Sequence, residues 1–109
     1  MTDNHTGVRR FDRPRRVLVD PRRIWPPLPQ QPPRTNPPTI GENAASLDPR
    51  LGEEWIDAVQ YSWARFRFGR NNLIWLAEIA VDLATVNRVT MVTLRQWVPA
   101  DAVRLPPIR

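Results

Sequence analysis

From residue 48 onward the apolar residues recur in a helical rhythm. Leu51, Trp55, Ile56, Val59, Trp63 and Phe66 fall mainly three and four apart, the spacing of one stripe along a helix. Asp48 followed by Pro49 offers an N-cap acceptor with proline at the first helical position, and Glu53 and Glu54 place negative charge near the positive end of the dipole. Gly69, beside Arg65, Arg67 and Arg70, offers a stop. The spacing predicts a helix over 49–68. Asn71 and Asn72 then read as a short turn and a second cap. Beyond them Leu73, Trp75, Leu76, Ile79, Ala80, Leu83 and Val86 fill most of a helical circumference, with Glu78, Asp82 and Thr85 as its polar stripe. This predicts a second, mostly buried helix ending near 86, because the stretch from Thr85 to Thr93 is rich in β-branched residues that suit a pleated surface. Residues 89–98 read as a strand, with one helix running on to Pro99 as the competing reading. Arg16 to Asp20 is a second, short strand candidate.

Upstream the pattern changes. Between Pro21 and Pro38 eight of eighteen residues are proline, each fixing its own φ, removing a donor and turning the preceding residue away from helix. The expected structure is an extended arm, and residues 20–42 at polyproline-II rise would reach about 70 Å. Apolar residues are set into it: Val17, Leu18 and Val19 before the prolines, then Ile24, Trp25 and Leu28 among them. Disordered linkers are poor in such residues. The expected fold class is therefore small and α-rich, with α+β as a possibility: a helical hairpin with a C-terminal strand, a long proline-rich extended N-terminal arm and a short extended C-terminal tail. The divisions are 1–42 for the arm, 43–98 for the core and 99–109 for the tail, with no internal repeat. A core of that size is marginal, and one face of the second helix has no partner within the chain. Copies of the chain or another protein would have to cover it.

Composition removes most chemistry. The 109 residues contain no cysteine and a single histidine, His5, in a polar tail, which excludes disulfides, thiolate sites and histidine-centred acid–base or metal sites. All 16 basic residues are arginine and the net charge is +5, a usage that fits a GC-rich coding sequence. The excess is local: residues 1–23 carry seven arginines against Asp3, Asp12 and Asp20. No apolar run follows Met1, and the most apolar run, Leu73 to Val86, is interrupted by Glu78 and Asp82. The expectation is a cytoplasmic or virion protein, neither secreted nor transmembrane, without cofactor, metal or small-molecule substrate.

Four features remain as candidate chemistry. Arg9, Arg10, Arg13, Arg15 and Arg16, clustered around Phe11, could neutralise phosphates. The interleaved Arg65, Phe66, Arg67, Phe68, Gly69, Arg70 looks like a basic aromatic patch, although arginines at a helix C-terminus already serve the dipole. Arg23, Pro26 and Pro29 match a proline-recognition spacing that prolines at this density produce by chance. Glu78 and Asp82, four apart on a helix, could share a proton or a cation, but no third ligand is spaced to help them. No phosphate loop or nucleophile elbow is present. The sequence is thus read as a non-enzymatic structural or assembly protein whose arm docks on neighbouring subunits of a larger complex, a phage virion component being one such setting. Ile24, Trp25, Leu28, Trp75 and Trp97 are its expected partner-binding residues, and the partners are protein subunits in a homo-oligomer or hetero-complex. The alternative is a small nucleic-acid-binding or packaging accessory protein acting through the arginine cluster.

Overall fold

Along residues 77–83 burial follows every second residue: Ala77, Ile79, Val81 and Leu83 are buried while Glu78 is half-buried and Asp82 exposed, the small Ala80 being the one buried residue on the other face. That is the period of a strand, not of a helix. In the computed structural model, which describes residues 6–24 and 36–108, the chain forms one five-stranded antiparallel sheet. Its strands are β1 (Val8–Val19), β2 (Ile56–Gly69), β3 (Asn72–Ala84), β4 (Met91–Pro99) and β5 (Val103–Arg104), in the order β4-β3-β2-β1-β5. The only α-helix among the described residues is α1 (Ile40–Ala44), held by a Thr39–Glu42 capping box.

The expected helical hairpin is therefore corrected to a β-hairpin. The residues expected as helices 49–68 and 73–86 form mainly β2 and β3, and Asn71 lies in the two-residue turn between Gly69 and Asn72, which pair. Two local causes produced the helical rhythm. First, β2 carries a bulge: Gln60 pairs with Ile79 and Ser62 with Glu78, leaving Tyr61 as an extra residue that resets the alternation. The core-facing series therefore runs Ile56, Ala58, Gln60 and then Trp63, so that apolar residues from both faces mimic a stripe. Second, β3 is apolar on both faces, Ile74, Leu76 and Ala80 lying opposite Ala77, Ile79 and Val81. The cap at Asp48 is real chemistry in another setting: its Oδ1 accepts the Arg50 amide at 2.8 Å in a turn where Arg50 has φ 59°. The strand expected at 89–98 is β4, and the one at 16–20 falls largely within β1.

The extended arm also needs correction. Residues 8–19 are a strand that pairs along β2 and is flanked on its other side by β5 only at Leu18 and Val19, and Pro21–Arg23 form a 3₁₀ turn that tucks beneath the sheet. Ile24 lies within the core with Val17, Val19, Ile56, Ala58, Ile79, Val98 and Ala102, and its carbonyl accepts from Gln96 Nε2. After residue 36 the chain returns to the same sheet: Asn87 N–H bonds to Ala44 O at 2.8 Å and Asp48 N–H to Ala84 O at 3.0 Å. The expected C-terminal tail contains a second 3₁₀ turn, Ala100–Ala102, and β5, which pairs with β1.

The sheet thus has an inner face, covered by Ile24 and Ala102, and an open face. The open face is overhung at one end by the turn around Arg50, which shares clefts with Asp57, Val59 and Asp82. The described residues extend over 55 × 39 × 21 Å. A slab so thin leaves one side of its sheet without a second layer.

Candidate interaction surface

β2 and β3 outrun their neighbours. The last rung to β1 is Val8 with Ala64, and the last to β4 is Leu76 with Pro99. Arg65 N–H still bonds to Gly7 O at 2.7 Å, and beyond it Phe66–Gly69 and Asn72–Trp75 continue as a two-stranded ribbon, projecting about 13 Å at strand rise. Strand alternation gives the ribbon two unlike sides. Arg65 and Arg67 share the inner side with Leu73 and Trp75, their cross-strand partners. Phe66 lies on the open side, opposite Ile74.

The open side is an aromatic patch. Phe66 meets Trp97 edge-on at 5.2 Å between centroids and lies nearly parallel to Phe68 at 6.1 Å. Such arrangements add to the burial of aromatic surface. Yet Phe68 is 61% exposed, Trp97 39% and Ile74 38%. Where β4 stops, a groove of about 750 Å³ runs along the uncovered edge of β3, lined chiefly by Phe68, Leu73, Ile74, Trp75, Leu76 and Pro99, with the mutually paired Arg23 and Asp101 also on its wall. An unpaired strand edge beside apolar walls is suited to another chain.

The residues singled out from sequence are scattered across this frame. Trp97 sits in the aromatic patch, and Trp75 lies half-buried at the ribbon's base. Ile24 is inside the chain's own core. Trp25 and Leu28 lie outside the described residues. Of the arginine cluster, Arg16 pairs with Asp57 at 2.8 Å. Arg15 donates to Gln60 Oε1 at 3.1 and 3.0 Å and lies 4.6 Å from the Phe11 centroid. Arg9 lies over Trp75 at 5.2 Å. Arg10 and Arg13 carry no ion pair among the described residues. The sequence reading missed the aromatic patch and Gln60, because it placed Phe66 and Phe68 at the end of a helix and Trp97 on a separate strand, with nothing to bring them onto one face.

Glu78 and Asp82, on a strand, stand about 13 Å apart instead of one helical turn, so they share neither a proton nor a cation. Each has its own partners. Glu78 accepts from Ser62 Oγ at 2.9 Å and Arg95 Nε at 3.0 Å, and Asp82 accepts from Thr93 Oγ1 at 2.6 Å. The Arg95 guanidinium lies 3.9 Å from the Tyr61 ring centroid, completing a polar chain across three strands. Burial works against the Glu78 carboxylate, but the bonds from Ser62 and Arg95 and the fields of Arg95 and Arg10 outweigh it, and its pKa lies below the ordinary glutamate value. A carboxylate so lowered stabilises the fold above its unfolded pKa, and that contribution is lost as pH falls through the folded pKa. The stability difference between wild type and Glu78→Gln should therefore be constant at neutral pH and shrink below about pH 4.3, measured as urea midpoints across a pH series.

A further cleft, of about 330 Å³, lies among Asp48, Arg50, Glu53, Asp82, Thr85, Arg88 and Met91. Its charges are largely matched: Arg50 Nη2 donates to Glu53 Oε1 at 2.9 Å, and this bond holds the Glu53 carboxyl below the usual range. Among the described residues no group of three or more His, Cys, Asp or Glu could hold a metal ion, and no helix is long and apolar enough to cross a membrane. Comparison with protein-family models, with curated proteins and with solved structures gives no match.

Proposed function

We propose that the chain is a non-enzymatic assembly protein that docks through the open face of its sheet onto a neighbouring subunit of a larger complex. The observation that carries this reading is the Phe66–Phe68–Trp97 patch with Ile74, left bare on a single-layer sheet. A contiguous aromatic patch is a usual centre for protein association, since large, rigid rings desolvate much surface at little entropic cost. The adjoining groove adds an unpaired strand edge, onto which a partner's extended segment could add main-chain hydrogen bonds. A virion is one complex in which a small docking subunit of this kind would serve.

Gentle purification from the native source, with identification of the co-migrating proteins, tests the reading. It expects recovery in a stoichiometric complex of protein subunits. A dilute, monodisperse monomer recovered alone would contradict it.

A further inference from the structure

The inner side of the ribbon is as basic as its open side is apolar. The guanidinium carbons of Arg9 and Arg65 lie 5.2 and 5.6 Å from the Trp75 ring centroid. Arg67 follows Arg65 on the same side, about 7 Å further along the strand. Arg70 lies in the turn at the tip, and Arg13 in the irregular stretch of β1. Among the described residues no carboxylate pairs with any of these five. Arg16, Arg22, Arg23, Arg50 and Arg95, by contrast, are each ion-paired with an aspartate or glutamate. Arg9, Arg65, Arg67 and Arg70 thus present positive charge at and beside the ribbon with no carboxylate paired to them among the described residues.

We propose that the inner side of the β2–β3 ribbon binds single-stranded nucleic acid. Arg9, Arg65 and Arg67 meet phosphates, and unpaired bases stack on the planar pile of guanidinium and indole around Trp75. A guanidinium lying on an aromatic ring keeps its N–H edge free for phosphate oxygens, so stacking and charge act together. Two arginines one strand repeat apart on one side track a phosphate backbone, whose charges also recur at a regular spacing. The planar groups select the single strand, because the faces of its bases are open to aromatic rings and guanidinium planes, whereas a duplex stacks them on each other. An acidic peptide would meet the charges but leave the stacking surface unused.

The test is the anisotropy of a dye-labelled oligothymidylate titrated with the full chain over a salt series. Binding should be evident at low salt and weaken steeply as salt rises. Arg65→Ala with Arg67→Ala should lower affinity by tenfold or more and reduce the slope of log K against log salt by about 1.4, two released counterion terms of about 0.7 each. Arg65→Lys with Arg67→Lys keeps the charge, so it should preserve the slope while weakening binding by lost stacking. Arg88→Ala, which removes one positive charge at the far end of the sheet, should leave binding unchanged. Four results would overturn the proposal: no binding at the lowest salt, unaltered binding by the double alanine variant, equal affinity for polyglutamate, or tighter binding of a duplex of the same length.

Discussion

Replacing Gln60 by alanine is expected to lower the stability of the sheet by about 3 kcal/mol or more, an effect usually reserved for large apolar core residues. Gln60 has no exposed surface. Its Oε1 accepts two N–H groups of Arg15, and its Nε2 donates to Ser62 O at 3.1 Å. It therefore joins the two irregular places in the sheet: the bulge at Tyr61, and the stretch of β1 between Arg10 and Arg15, where Pro14 has no N–H to offer a ladder. Alanine would open a cavity, leave a carbonyl unsatisfied inside the sheet and strip the guanidinium of its acceptor. Urea unfolding should show a reduced midpoint with an unchanged slope. A double-mutant cycle with Arg15→Met should show strong coupling, since the two side chains meet directly.

An aspartate at Phe68 should act on association and leave folding nearly untouched. Its side chain is largely exposed, so the isolated sheet loses little when it is replaced, and surface substitutions outside special features cost little. In a docked complex the same carboxylate would be buried against an apolar partner without a counter-charge. Truncation of a central aromatic anchor typically costs 2 kcal/mol or more of binding, about a thirtyfold change, and a buried charge exceeds that. The wild-type chain, purified alone, should self-associate at micromolar concentration through the bare patch. The Phe68→Asp chain should sediment as a monomer with an unchanged far-UV spectrum.

How much of this was legible in the sequence can be judged from particular residues. The turn at Asn71 and Asn72, the strand ending near Val98 and the apolar run in β1 all stand in the chain as local signals, because turn residues and β-branched runs act over a few positions. β2 and β3 did not read as strands because alternation is diagnostic only when one face is polar throughout. Here Tyr61 shifts the phase midway and Ile74, Leu76 and Ala80 make the second face apolar. That second face is the one on which the proposed docking surface lies, since an exposed apolar patch is the usual mark of an interaction site. The partition of Arg65 and Arg67 from Phe66 follows from the strand alone: on a helix they would fan around the axis, whereas on a ribbon they divide into two sides. The role of Gln60 carried no sequence signal, since nothing local distinguishes a buried glutamine that bridges two bulges from an exposed one.

The most direct measurement is oxidative footprinting of the aromatic side chains in the assembled protein, purified gently from its source, against the isolated chain at high dilution. Docking through the open face predicts that Trp97, Phe66 and Phe68 are strongly protected in the assembly and reactive when free, while Trp63, packed against the core, reacts little in either state. Equal reactivity of Trp97 and Phe68 in the assembled and isolated states would contradict it, because the bare aromatic face would then remain open to water within the complex.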